Sequence, residues 1–440
     1  PRPRERWLHP STFKQGGLSM ERYSEYKDSG VKWLGEIPSH WEVKRLGSFF
    51  FERKEKVSDK DYAPLSVTKQ GIFPQLENVA KTNDGDNRKL VKEGDFVINS
   101  RSDRKGSSGV SGLDGSVSLI NIVLQPRKVL FGPFCNYLLK SYGFIEENYR
   151  NGRGIVADLW TTRYDEMKMI KVAMPSFEEQ KNISSYLDAA TSKIDKAIAM
   201  QQKMIDLLNE RKQIIIQNAV TKGLDENVEM KDSGVEWIGM IPKHWEILKL
   251  KRCASIKTGT TPPTNERKYF DGGRISWFTP GDLNDLHLKF ASKTITQKAI
   301  DDKVGRLFPA KTIYFVGIGA TVAKVSACDF AASSNQQINA IICNESLDYI
   351  FATYVLKSEQ EFIRNMANYV TLPIINQSDT GLIDMIVPPK SEQQAIVAYL
   401  GKEMQRFDSA ISNCQRQITL LQERKQIIIN EVVTGKVKVS

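Results

Sequence analysis

The stretch KDSGVKWLGEIPSHW at Lys27–Trp41 returns as KDSGVEWIGMIPKHW at Lys231–Trp245, 204 residues later, with eleven of fifteen positions identical. Self-similarity on this scale constrains the fold more than any composition does, because a repeated segment implies a repeated structural unit. Two further landmarks repeat. PSFEEQKNISSYL (Pro175–Leu187) returns as PPKSEQQAIVAYL (Pro388–Leu400), and LNERKQIIIQNAVTKG (Leu208–Gly223) as LQERKQIIINEVVTGK (Leu421–Lys436), both 213 residues on. Between the first landmark and the later ones the spacing changes by nine residues, and residues 47–170 and 251–383 share almost no readable identity. The chain is therefore one frame written twice around two different inserts.

The later landmarks read as long helices. From Glu178 to about Val220, apolar residues recur at alternating three and four: Ile183, Leu187, Ala190, Ile194, Ala197, Met204, Leu208 and Ile215. The second copy gives Ile396, Leu400, Phe407, Ala410, Leu421 and Ile428, with polar Gln201 and Cys414 at one equivalent seam position. That is the pattern of a coiled-coil-type helix. Each stripe is too long for one small domain to cover, so the two helices are expected to pack together, with Leu187, Ile194, Leu208, Ile215, Leu400, Phe407, Leu421 and Ile428 in the seam. Pro175 and Pro388 mark the entries, Gly223 and Gly435 the exits.

The inserts read as mixed α/β. Gly94–Ser100, Ser116–Pro126 and Lys311–Val325 have strand character, and Phe131–Glu147 and Leu347–Ala367 have helix character. Residues 1–20 read as a tag, upstream or disordered segment, with Met20 a plausible start. The expected division is 21–175, a first recognition domain; 176–222, a central helix; 223–388, a connector and second domain; and 389–440, a C-terminal helix and tail.

Few function classes survive the composition. No apolar run approaches the roughly 18–20 residues of a membrane span. Five scattered cysteines and four histidines have no metal-ligand spacing, which points to a reducing cytoplasm and no zinc site. A net charge of +10 suits a polyanion partner. FVGIGA (Phe315–Ala320) has the look of a cofactor-cradling glycine loop, but no Asn/Asp-Pro-Pro-aromatic tetrapeptide accompanies it, and a tight turn between strands accounts for Gly317 and Gly319. No phosphate-binding GxxxxGK[ST] loop, nuclease carboxylate cluster or GxSxG elbow is present. The chain reads as non-catalytic.

The repeated KDSGV…IP…HW opening, the Pro-x-x-x-Glu-Gln helix starts and the ERKQIII helices resemble the specificity subunits of type I restriction–modification enzymes. Thr258–Leu283, Ser333–Ile341 and Gly94–Val110 resemble that family's target-recognition segments. The resemblance covers residues 21–440. It implies α/β (α+β) recognition domains joined by two long antiparallel helices in a pseudo-twofold repeat. Each domain would read one half of a split, asymmetric double-stranded DNA target. The helices would set the spacing and dock two modification (methyltransferase) subunits, with restriction/translocase subunits joining them. S-adenosylmethionine, ATP and Mg would belong to those partners and none to this chain. A helix of about 43 residues spans roughly 65 Å, enough to hold two reading heads one DNA turn, about 34–36 Å, apart. The rival readings are a self-contained methyltransferase or nuclease and a coiled-coil protein scaffold.

Within that reading, the loop after Gly94–Ser100 offers Arg101 and Arg104 for guanine edges, Ser102 and Asp103 for other base edges and Lys105 for phosphate. Lys69 and Gln70 form a second candidate. In the second insert, Trp277, Thr279, Asp282, Ser334, Asn335, Gln336 and Gln337 have suitable chemistry, since Asn or Gln can pair with adenine. Thr258, Thr260 and Lys324 suit backbone phosphates. The alternative for each is a solvated polar turn. The repeated Trp33, His40 and Trp41, and Trp237, His244 and Trp245, read as packing: aromatics identical in two domains cannot discriminate two different half-sites.

Overall fold

The computed structural model describes residues 21–76, 85–127, 130–154, 160–369 and 372–439; the segment 1–20 lies outside them. Contacts divide the chain into two compact units, one running to Gln201 and resuming at Arg416, the other spanning Gln202–Gln415. Each unit holds an insert, half of a central helix (Phe177–Lys222) and half of a C-terminal helix (Lys390–Val433). At 46 and 44 residues the helices are roughly 69 and 66 Å long. Among the described residues no helix is long and apolar enough to cross a membrane.

The repeated opening folds identically in both units. Tyr26–Asp28 pairs antiparallel with Glu36–Pro38, and Met230–Asp232 with Met240–Pro242, in the same register. Glu42–Arg45 then pairs with Lys171–Met174, and Glu246–Lys249 with Asp384–Val387, so each insert is closed at its neck by a two-stranded ribbon. The ribbon's second strand leads into the long helix.

The reason for the conserved letters lies at this neck. Trp41 and Trp245 are completely buried. Trp41 Nε1 donates to Glu179 Oε1 at 3.0 Å, and His40 Nε2 lies 3.1 Å from Oε2. In the other unit Trp245 Nε1 donates to Glu392 Oε2 at 2.9 Å, with His244 Nε2 2.7 Å from Oε1. The next residue completes the clamp. Gln180 and Gln393 are buried; each accepts from the backbone N–H that opens a domain helix (Phe131, 2.9 Å; Asp348, 2.6 Å) and donates to the helix-entry proline carbonyl (3.1 and 2.8 Å). The far end of the other helix reaches the same indole. Gly435 (φ +73°) approaches Trp41 so closely that a Cβ would sit 3.1 Å from Cζ3, and Gly223 (φ +76°) approaches Trp245 equally closely. In each unit one tryptophan is thus held between the start of one long helix and the end of the other, which makes the helices antiparallel within it.

The helix faces follow an eleven-residue period. Ile183, Ile194, Ile205 and Ile216 are all buried; in the second copy Ile396 and Ile429 are buried and Phe407 and Ile418 half-buried. Eleven residues in three turns keeps one face aligned on a nearly untwisted helix. A seven-residue reading places Met204 in the seam, but Met204 is 49% exposed and its neighbour Ile205 takes the position. Leu187, Ile194, Leu400 and Ile428 are buried and Leu208, Ile215, Phe407 and Leu421 half-buried. Ion pairs flank the contact: Asp195 with Lys425 at 2.7 Å in the first unit, Lys212 with Asp408 at 2.5 Å in the second.

The first insert is a four-stranded sheet in the order 108–110, 96–99, 121–126, 50–52, beside a three-stranded sheet (115–117, 88–91, 56–57). The second is a five-stranded sheet in the order 254–258, 338–343, 312–316, 325–328, 287–288, beside a four-stranded one (294–295, 275–278, 332–334, 307–308). The continuous strands expected at 116–126 and 311–325 each fold as two strands around a turn. The helices expected at Phe131–Glu147 and Leu347–Ala367 both break, at Ser141 and Glu359. Ser141 is extended and buried; its hydroxyl donates to Leu138 O and accepts from Phe144 N, ending one helix and capping the next.

The neck glycines give a test. Gly435→Ala places a Cβ against Pro38 and Trp41 at a left-handed position, whereas Gly234→Ala (φ +73°) meets open space. Left-handed backbone alone costs an alanine about 1–2 kcal/mol. The unfolding midpoint is expected to fall clearly further for G435A than for G234A; equal shifts would refute the tight neck.

Candidate nucleic-acid interface

In the first unit the strand Phe96–Asn99 carries the predicted loop. Asp95, buried at its foot, accepts Lys92 N at 2.9 Å and both Arg53 Nε and Nη2, at 2.7 and 3.2 Å. This anchored turn aims the strand, and a short helical turn (Ser102–Arg104) follows it. Arg101 and Arg104 are exposed, with the Asp103 carboxylate 3.4 and 3.8 Å from them. Their guanidinium groups are therefore presented to solvent around one acid; the Ser102 side chain lies outside what is described. Lys105 is turned inward, 2.7 Å from Glu146 and 4.4 Å from the Tyr149 ring centroid, so it ties the loop to the helix Tyr142–Arg150. Lys69 and Gln70 are both exposed at the tip of the hairpin between Leu65–Val67 and Ile72–Pro74. Lys140 Nζ donates to Gln70 O at 3.2 Å and supports that tip.

In the second unit Trp277, Thr279, Asn335, Gln336 and Gln337 line one open cleft of about 560 Å³. Their roles differ. Trp277 is buried and donates through Nε1 to Thr260 O at 3.0 Å, which makes it a wall and not a stacking platform. Ser334 is fully buried and Asn335 nearly so; both shape the cleft from behind. Thr258 is also withdrawn, its hydroxyl donating to Asn339 Oδ1 at 2.9 Å inside a buried network that includes Thr380. The Thr260 hydroxyl is buried without a partner among the described residues. Lys324 donates to Asn284 Oδ1 at 3.0 Å. Gln336 is exposed and Gln337 half-buried, and these two reach the surface.

Asp282 organises the loop that forms one lip. Its Oδ2 accepts the Thr279 N–H and hydroxyl, each at 2.8 Å, and its Oδ1 accepts Ser292 N at 2.9 Å. Burial pushes this carboxyl up, but the hydrogen bonds from Thr279 and Ser292 outweigh it and hold the group below the ordinary 3.8. Thr279 and Asp282 thus satisfy each other.

Sequence reasoning did not single out Thr261, Lys293 or Thr321, which line the same cleft. The FVGIGA loop forms its other lip, and contacts within the domain account for both glycines. A Cβ on Gly317 would lie 2.7 Å from Ile375 O and 2.8 Å from Asn339 Nδ2, and Gly319 has φ +110°. The motif was visible in the sequence; its position beside Gln337 was not.

Comparison with known proteins agrees with this architecture. The family described as "Type I restriction modification DNA specificity domain" matches residues 242–422. The chain is 24% identical to a putative type I restriction enzyme MjaX specificity subunit of Methanocaldococcus jannaschii, over 94% of this chain and 98% of that one. It is 25% identical to the MjaVIII specificity subunit of the same organism, over 94% and 97%. Its fold matches a chain from a structural study of complex assembly and conformational transition of the type I R-M system, with a TM-score of 0.69, 17% identity, and 90% and 98% of the two chains covered. It also matches the HsdS subunit from Thermoanaerobacter tengcongensis, with a TM-score of 0.53, 18% identity, and 93% and 100% covered.

The Asp282 linkage has a definite sign. A carboxyl whose value is lowered by folding stabilises above its unfolded pKa, and that contribution is lost as pH falls through the folded value. The unfolding midpoint of Asp282→Asn is expected to lie below that of the wild type at pH 7 and to approach it below about pH 4. A difference that stays constant with pH would contradict the charged clamp.

Proposed function

We propose that the chain is a specificity subunit of a type I restriction–modification enzyme and that it reads a split, asymmetric DNA target with its two inserts. The observation that carries this reading is the neck: the same His-Trp and Glu-Gln pairs in both copies hold two inserts with different sheets. A constant mount with variable heads is what two independent half-site readers require. Scaffold duty alone gives no reason for the heads to differ.

Chemistry is assigned to partners. Modification subunits, docked along the long helices, supply methyl transfer with S-adenosylmethionine, and restriction/translocase subunits supply ATP- and Mg-dependent cleavage. This chain positions them. Arg101 and Arg104 in the first insert, and Lys69 and Gln70 at its hairpin tip, are the residues proposed to meet DNA; Gln336 and Gln337 do so in the second. Asp103, Lys105, Thr279 and Asp282 hold these groups in place. Cytoplasmic residence follows from the assembly's substrate.

The decisive experiment co-expresses the chain with its modification subunit in cells free of other methylation and maps methyladenine by long-read sequencing. A bipartite asymmetric motif is expected. Replacing residues 47–170 with another family member's insert is expected to change one half of the motif and leave the other intact. Change in both halves, or in neither, would overturn the two-headed reading. In binding assays with the complex, Arg104→Ala is expected to cost about 1–3 kcal/mol and to relax discrimination at one position of the first half-site. Unchanged affinity and unchanged discrimination would remove Arg104 from the interface.

A further inference from the structure

The hydrogen bonds around Asn335 decide which atoms of the second cleft face outward. The Gln337 backbone N–H donates to Asn335 Oδ1 at 3.1 Å. A backbone N–H can only donate, so the Asn335 amide must present its oxygen there and its Nδ2 elsewhere. That Nδ2 donates to Gln337 Oε1 at 2.9 Å. The Gln337 amide is oriented in turn: its carbonyl faces inward to a buried asparagine, and its Nε2 faces the cleft, 3.5 Å from where a Cβ on Gly319 would stand. That is ordinary contact; the glycine at 319 answers to its φ of +110°.

The rest of the cleft has the same bias. Gln336 Oε1 accepts the Thr261 hydroxyl, and Lys293 stands exposed on the rim. No carboxylate is among the described residues that line it. The surface offered is rich in donors and poor in acceptors.

Resting on the reading of the chain as a DNA-specificity subunit, we propose that Gln337 reads the N7/O6 edge of a guanine in the half-site recognised by the second insert. Guanine presents two adjacent acceptors in the major groove. Adenine sets its N6 amino donor beside N7, and that donor would meet the Gln337 amino group, whose carbonyl is turned inward to Asn335; thymine offers one acceptor and a methyl group. This replaces the adenine pairing that the residue types alone suggest. Asn335 is a positioning residue, acting only through Gln337.

The test uses the assembled complex of this chain with its modification subunits. Once the motif is known, the half-site that changes on exchanging residues 251–383 is assayed with base analogues. At one guanine, 7-deazaguanine is expected to slow methylation about tenfold or more, while inosine, which keeps N7 and O6, has little effect. Gln337→Met is expected to impose a similar loss on natural DNA and to abolish the 7-deaza penalty at that guanine, with the first half-site unaffected. Wild-type rates in Q337M, or a full 7-deaza penalty persisting in it, would overturn the assignment, as would a half-site with no sensitive guanine. If Q337M does not assemble, the analogue series on the wild-type complex decides alone: a sensitive guanine supports the assignment and its absence refutes it. Failure of the underlying reading looks different, since the wild-type complex would then give no bipartite motif at all.

Discussion

Everything in this molecule hangs on a carboxylate at the first turn of each long helix. Glu179 and Glu392 each receive an indole N–H and face an imidazole from the His-Trp pair of the repeated opening. Hydrogen bonds to a charged acceptor contribute about 1.5–3 kcal/mol, and a carboxylate in the first turn also suits the helix dipole. The indoles are fully buried, so their geometry is held by packing as well as by the bond. Gln180 and Gln393 extend the attachment to a helix of the insert, and Gly435 and Gly223 bring in the opposite helix end. Three elements meet at one tryptophan in each unit, and the adjacent glutamine ties on a fourth.

This explains how one chain can tolerate such different inserts. The neck contacts involve the opening hairpin, the ribbon, the helix ends and the capped start of one domain helix. None of the residues proposed to meet DNA takes part. Sheet order, strand number and loop chemistry in the inserts can therefore change without disturbing the mount, as the four- and five-stranded sheets show. The reading surfaces are in turn stiffened from behind by their own clamps: Asp95 with Arg53 in one insert, Asp282 with Thr279 and Ser292 in the other.

Local signals in the sequence reached a long way. The span of the central helix was legible to within two residues, 178–220 against Phe177–Lys222, because periodicity over many turns averages out individual exceptions. Helix breaks were not legible. Ser141 interrupts a helical pattern through a hydroxyl that bonds both sides of it, and Glu359 breaks the other helix at the corresponding place with no such side-chain cap. The seam at Ile205 also escaped a seven-residue reading, since adjacent Met204 is apolar too; the isoleucines at 183, 194, 205 and 216 carry an eleven-residue period in the sequence, and burial selects it.

The sequence by itself determined the architecture: two copies of one frame, two dissimilar heads and a pair of long amphipathic helices. Repetition and periodicity are properties of residue order and survive without coordinates. Tertiary structure decided which polar atoms are free. Asn335, Gln336 and Gln337 are three similar amides in a row, yet one is buried, one bonds a threonine and one turns its amino group outward. That choice is made by a backbone N–H of the same turn and by the strands packed behind it. Base recognition depends on single donors and acceptors, and their availability is settled only when every neighbouring hydrogen bond has been formed.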